Sequence, residues 1–332
     1  MKKNVLALLM LSLILLIPLA SCARTAGESL AEPEVSSAPA VQKEASVPSL
    51  PEDLTMKDGL PVLTVYDVKT GAHESMDVER YVMGVLAGEM RNDWPMEALK
   101  AQAVLARTFV LKFIDEKESM YGGADISTDI KEAQAYDAEK INERIEKAVS
   151  ETRGQVLSHD GELPYTWFHA HAGGMTELPT LALDFKDDDP DYTRVTESPD
   201  SNKAPTSVKN WSVSFSAEEV AQAARDSGVS VDEISSIELG EKGESGRTVF
   251  FLINGEKVSA PSLRLNLDST RLKSTLLDSV SLKDGKITFT GRGYGHGVGL
   301  SQWGAYGMAE EGAGYREIVL HYFPGTAVVQ AW

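Results

Sequence analysis

Apolar and polar residues follow two rhythms along this chain, and each rhythm predicts an element. The run LPVLTVYDV from Leu60 is rich in β-branched residues and reads as a strand, so folded structure is expected to start near there. Next, Val78, Tyr81, Val82, Val85 and Leu86 recur at helical spacing behind Asp77, a residue suited to cap a helix. PMEALKAQAVLARTFVLKFI predicts a second helix with Pro95 in its first turn. Ala98, Ala101, Ala103 and Ala106 leave it thin on several sides, so a neighbour can pack closely. VLSHDGELPYTWFHAHAGG reads as a turn and then a strand running into glycines, followed by an acidic loop from Asp187 to Asp191. Between about Trp211 and Thr290, short strands (TVFFLI, KITFT) alternate with helix-like pieces (SAEEVAQAARDSG, SLRLNL). Ser301 can cap a short helix, and GYREIVLHYF predicts a final one. No unit repeats at a fixed period. The pattern is α+β, mixed helices and short antiparallel strands, without regular βαβ alternation.

The start of the chain follows a different rule. Lys2 and Lys3 precede an apolar run of sixteen residues, Val5 to Ala20, which is shorter than the roughly 20 needed to span a bilayer. A basic start, that run and small residues at its end describe a secretory signal. The run closes on Leu19-Ala20-Ser21-Cys22, which resembles a bacterial lipobox, and Cys22 is the sole cysteine. Cleavage before Cys22 and its lipidation would anchor the protein to the membrane from the extracytoplasmic side. No thiol would then remain for a disulfide, a metal or a nucleophile. Residues 23–56 are mainly Ala, Ser, Pro and Glu, too poor in large apolar side chains to offset ordering, and read as a disordered tether. Residues 57–332 form the expected folded part, with about 205–290 a possible second lobe. The formal net charge of −18 argues against nucleic acid as a partner, because phosphates would be repelled.

Candidate chemistry is sparse. Glu89 falls where the stripe of the first helix calls for a buried apolar residue. A carboxylate there either stays protonated or finds a partner. Alternatively the helix frays by Gly88 and Glu89 reaches solvent or caps the next turn, the reading the pattern alone favours. His169 and His171 stand two apart on a predicted strand and would share a face. A metal site would want a third ligand, and His159 and Glu177 offer no recognised spacing. His73 and His321 have no context. G-x-S-x-G and H-E-x-x-H are absent, which removes two hydrolase classes. Two-carboxylate glycoside hydrolysis stays open, although no second acid is marked as Glu89 is.

Seven of the eighteen residues in GRGYGHGVGLSQWGAYGM, Gly291 to Met308, are glycine. Their spacing is neither G-x-G-x-x-G nor a P-loop, so phosphate is not indicated. Part of the run suits a tight corner needing positive φ. The alternation is longer than a corner requires. A glycine-lined surface would let a flat ligand lie on the backbone, with Tyr294 and His296 supplying stacking and polar contacts. A sugar chain fits that description better than an anion.

Two long segments, YVMGVLAGEMRNDWPMEALKAQAVLARTFVL and GRGYGHGVGLSQWGAYGMA, resemble the stage II sporulation protein D family, which includes peptidoglycan lytic transglycosylases and amidase-modifying proteins. DISTDIKEAQAYD, YTWFHAHAGGMTE, SLRLNL and LKST extend the resemblance over roughly Leu60 to Thr326. The resemblance implies cleavage of the glycan strand between N-acetylmuramic acid and N-acetylglucosamine, leaving a 1,6-anhydro end. The family's catalytic glutamate falls on Glu89. By motif position His296, Ser301 and Gln302 would line a glycan groove beside Tyr294, with Tyr136 and the His169 to Gly174 strand opposite. Some relatives bind zinc near this strand through cysteine and histidine. This chain lacks those cysteines, so no metal or cofactor is expected. Arg91 stands where the family shows a proline or similar residue. From a different class, the family also implies a wall-binding lipoprotein that recruits or stimulates an amidase and cuts nothing itself.

Overall fold

Asp77 turns the chain from strand into helix, and the first core is built from that junction. The computed structural model describes residues 45–52 and 54–332, so Cys22, the signal segment and most of the expected tether lie outside the described residues. Strands β1 (Thr55–Lys57), β2 (Leu60–Asp67) and β3 (Ala72–Asp77) form an antiparallel meander. The short β4 (Ile126–Ser127) pairs parallel to β2. Folded structure therefore begins before Leu60. Pro48 and Pro51 are buried, and the Ser158 hydroxyl donates to the carbonyl of Ser46 at 2.6 Å. Part of the segment before Thr55 thus packs against distant residues, although its own composition is loop-like.

Helix α1 (Val78–Glu89) starts where Asp77 accepts a hydrogen bond from the Arg80 amide at 2.9 Å, a side-chain N-cap. Its predicted stripe is buried throughout. Helix α2 (Met96–Glu116) begins just after Pro95. Its four alanines at 98, 101, 103 and 106 are fully buried, as a thin helix surrounded by neighbours requires. Those neighbours are α1, α3 (Glu143–Glu151), β5 (Gln155–Ser158) and, from the far end of the chain, α8 (Gln302–Glu310) and α9 (Tyr315–Tyr322). Between α1 and α2 the fully buried Arg107 meets Glu79 at 2.5 Å, an ion pair inside the core.

The remaining elements in chain order are β6 (Phe168–His169), α4 (Pro179–Ala182), α5 (Thr206–Lys209), β7 (Trp211–Ser216) and α6 (Ala217–Asp226). Then come β8 (Ile237–Leu239), β9 (Phe250–Ile253), β10 (Glu256–Ser259), α7 (Ala260–Asp268), β11 (Leu277–Lys283), β12 (Lys286–Gly291) and β13 (Leu300–Ser301). Two three-stranded antiparallel sheets, β11-β12-β7 and β10-β9-β8, enclose a second apolar cluster around Phe215, Phe251, Phe289 and Leu263 with α6 and α7. Helix α6 opens on a capping box formed by Ser216 and Glu219. The fold is α+β. The chain also adds a strand that its pattern did not predict, β14 (Ala327–Gln330), which pairs antiparallel to β5.

One small pairing brings two distant motifs together. β13 lies parallel to β6, Leu300 beside Phe168 and Ser301 beside His169. The glycine loop is thereby laid against the YTWFHAH segment.

Candidate functional site

Two glycines bring Glu89 its first partner. Gly84 and Gly88 lie one turn apart on α1, and the loop that follows β4 packs directly on them. A Cβ on Gly88 would come within 2.7 Å of the Ala135 backbone, and one on Gly84 would collide with the Tyr136 ring. With both side chains absent, the loop can sit close enough for the Ala135 amide to donate to Glu89 Oε1 at 2.7 Å. Tyr136 stacks on Tyr81, ring centroids 5.5 Å apart. Tyr136 thus packs behind the loop, against Tyr81 and the bare backbone at Gly84.

The second partner comes from α8. Ser301 caps that helix by accepting from the Gly304 amide, and Gln302 Nε2 reaches to 3.5 Å from Glu89 Oε2. Glu89 does not fray into solvent. It closes α1 and lines a cavity of about 570 Å³ with Gln134, His169, Tyr294, His296 and Gln302. Burial pushes its carboxyl up from the ordinary value, and the two hydrogen bonds to Ala135 and Gln302 oppose that rise without cancelling it.

The histidines divide. The Val298 carbonyl lies 3.1 Å from His169 Nδ1 and receives its proton, which leaves Nε2 as a buried acceptor without a partner among the described residues. His296 Nδ1 accepts from the Val298 amide at 3.0 Å. Burial holds His169 well below the usual histidine range and takes His296 down to about 3, so both rings are neutral near pH 7. Their centroids are 5.5 Å apart. His171 does not share their face. β6 ends at His169, and the next turn sends His171 to Asp200, 3.4 Å from its carboxylate.

Asp200 carries no sequence signal, yet it organises this corner. Its carboxylate accepts from the amides of Gly173 at 2.8 Å and Gly174 at 3.1 Å, and from the hydroxyls of Ser198 at 3.0 Å and Ser301 at 2.5 Å. Ser301 and Gly174 therefore both take part in this anchor. The anchor fixes the start of α8 and hence the position of Gln302. Arg247 is equally invisible to sequence reasoning. It is buried and donates to the carbonyls of Ala172 at 2.7 Å and Met175 at 2.8 Å.

The glycine loop is not an open floor for a flat ligand. Gly293, Gly295, Gly297 and Gly299 all have positive φ, between 67° and 107°. Their missing side chains make room for protein. A Cβ on Gly295 would lie 2.6 Å from that of His169, and one on Gly297 would strike the Arg247 guanidinium. The alternation exists because a chain squeezed between β6 and Arg247 needs left-handed backbone and no Cβ at every second residue. Only the intervening Tyr294 and His296 face the cavity. Among the described residues no group of three or more His, Cys, Asp or Glu side chains could hold a metal ion.

The sequence of the chain has relatives. Residues 66–159 match the family described as Stage II sporulation protein, and residues 171–299 match a domain of unknown function. The chain belongs to the stage II sporulation protein D family. It is 29% identical to the stage II sporulation protein D of Bacillus subtilis (strain 168), over 83% of this chain and 81% of that protein. An uncharacterized protein of Brachyspira hyodysenteriae is 34% identical over 76% of this chain and 67% of its own length. The amidase enhancer of Bacillus subtilis is 28% identical over 74% of this chain, which spans 40% of that longer protein.

Proposed function

We propose that this protein is a peptidoglycan lytic transglycosylase, acting outside the cytoplasm and anchored to the membrane through a lipid on Cys22. Family membership and the likeness to an amidase enhancer support a cell-wall related function. The observation that carries the finer reading is Glu89, one carboxyl group whose pKa is raised by burial at the wall of an open cavity. A carboxyl raised in this way holds its proton to higher pH than an ordinary one, which suits a general acid.

In this reading the protonated Glu89 gives its proton to the glycosidic oxygen between N-acetylmuramic acid and N-acetylglucosamine. The bond from C1 of the muramyl residue to that oxygen breaks. Glu89, now a carboxylate, takes the proton of the muramyl 6-hydroxyl as that oxygen bonds to C1. The products are a 1,6-anhydro end and a free hydroxyl on the departing sugar, and Glu89 returns to its starting state. An intramolecular hydroxyl removes the need for a second carboxylate to activate water. Gln302 and the Ala135 amide hold the carboxylate through the charged half of the cycle. Neutral His169 and His296 offer polar contacts without adding charge beside the acid.

The test is mass spectrometry of purified cell wall after incubation with the protein, looking for anhydro-muramyl ends. The similarity to an amidase enhancer favours one other reading, a wall-binding protein that stimulates an amidase. An amidase stimulated with no anhydro product formed would select it. The anchor has its own test. Cys22→Ala should lose incorporation of labelled fatty acid, and continued labelling would remove Cys22 from the proposal.

A further inference from the structure

A second cavity, of about 390 Å³, adjoins the one at Glu89, and Phe109, Thr166 and Trp167 line both. One wall is the face of α2 that carries Phe109, Lys112, Phe113 and Glu116, spaced three and four apart so that all project together. The opposite wall holds Tyr165 and Trp167, which stack at 4.9 Å between centroids and 20° between planes. Phe185 meets both rings edge-on.

This wall is held in place before any ligand arrives. The Tyr165 amide donates to the Tyr192 hydroxyl at 2.9 Å, the Thr166 hydroxyl to the Leu105 carbonyl at 3.0 Å, and the Tyr165 hydroxyl to Glu116 at 2.8 Å. Tyr165, Trp167 and Phe185 stay only partly covered, although each carries a large aromatic ring.

The rim decides the ligand class. Lys112 pairs with Glu116 at 2.7 Å and lies over the Tyr165 ring, so the two charges largely cancel. Lys117, over the Phe113 ring, is the other cation among the described residues of the rim. Flat apolar plates edged by one neutralised Lys–Glu pair and a single further cation suit a pyranose ring, which offers C–H groups on its face and hydroxyls at its edge. An acidic stem peptide would find little net positive charge.

We propose that this aromatic cleft is a saccharide subsite that holds sugar rings of the glycan strand beyond those at Glu89. The inference rests on the reading of the Glu89 cavity as a glycan site. The segment Tyr165 to Ala170 would then serve both places, its first residues under the outer rings and His169 beside the reacting one. The enzyme would grip a strand internally and favour long strands over short ends.

The experiment measures binding of N-acetylglucosamine oligomers of two and six sugars to full-length Glu89→Gln by calorimetry, so that no cleavage intervenes. The six-sugar ligand should bind at least about tenfold more tightly than the two-sugar one. Phe185→Ala, and separately Tyr165→Leu, should reduce that ratio toward one. Circular dichroism establishes that each variant is folded, and either folded variant alone suffices for the comparison. An unchanged ratio in both variants, or stem peptide competing for the cleft while sugars do not, overturns the proposal. Anhydro product formed equally by wild type and Glu89→Gln would instead overturn the catalytic reading and leave the binding ratio intact.

Discussion

The side-chain amide of Gln302 lies 3.5 Å from the carboxylate of Glu89, across 213 residues of chain. Neither residue reaches the other by local structure. Glu89 is delivered by the end of α1, and Gln302 by the first turn of α8, whose start is tied through Ser301 to Asp200. The acid is therefore set by two separate anchors, the Ala135 loop on one side and the Asp200 corner on the other.

Glu89→Gln keeps the shape of the acid and can still hydrogen bond, but it has no proton to deliver. Loss of general acid–base help costs about 10²- to 10⁴-fold in rate, and the upper end is expected because one group serves both steps. Anhydro-muramyl product is the readout. Equal yields from the two proteins at equal concentration would remove Glu89 from the mechanism.

The raised pKa of Glu89 has two pH signatures. Activity should fall as pH rises through the folded-state value, because the acid is then already ionised. Stability follows the same sign. The folded state holds the proton more tightly than the unfolded state, so ionisation penalises folding. Between the ordinary carboxylate value and the folded one, wild type should lose stability relative to Glu89→Gln as pH rises. Urea titrations of both proteins at several pH values test this, and parallel stability curves would contradict the burial assigned to Glu89.

Gly295→Val and Gly297→Val should fail by unfolding, not by blocking a ligand. Both positions have positive φ, 107° and 94°, and both face protein where the side chain would go. Backbone strain alone costs roughly 1–3 kcal/mol, and the contacts with His169 and Arg247 add to it. A clear drop in melting temperature is expected for each. Either variant melting like wild type would mean that the loop is not packed as described.

Arg107→Met should be among the most destabilising single changes. It strands the carboxylate of Glu79, which is 6% exposed, and also removes a hydrogen bond to the Gln155 carbonyl. Breaking one side of a buried pair typically costs about 3–5 kcal/mol. Adding Glu79→Leu should recover much of the loss, since the charge left behind is then gone. A double variant no more stable than Arg107→Met would show that packing, not the stranded charge, dominates.

Periodicity was enough to place α1, α2, α6, α7, α8 and α9, because a stripe of apolar side chains and a capping residue are written locally. The long motifs likewise carried family membership and pointed to Glu89. What periodicity could not supply was the environment of that acid. The stripe alone favoured a solvent-exposed Glu89, and burial appeared only when the Ala135 loop and α8 closed over the helix end. The glycines were visible as an alternation, but their reason was tertiary. They yield space to His169 and Arg247, residues far from them in the chain. Ser301 and Gly174 meet at Asp200, a residue without a sequence signal, whose role depends on donors from two distant segments as well as on nearby Ser198. Capping and amphipathicity act over a few residues and are read from order alone. Desolvation, close backbone approach and convergent hydrogen bonds are properties of what the fold brings together, so only the tertiary structure decides them.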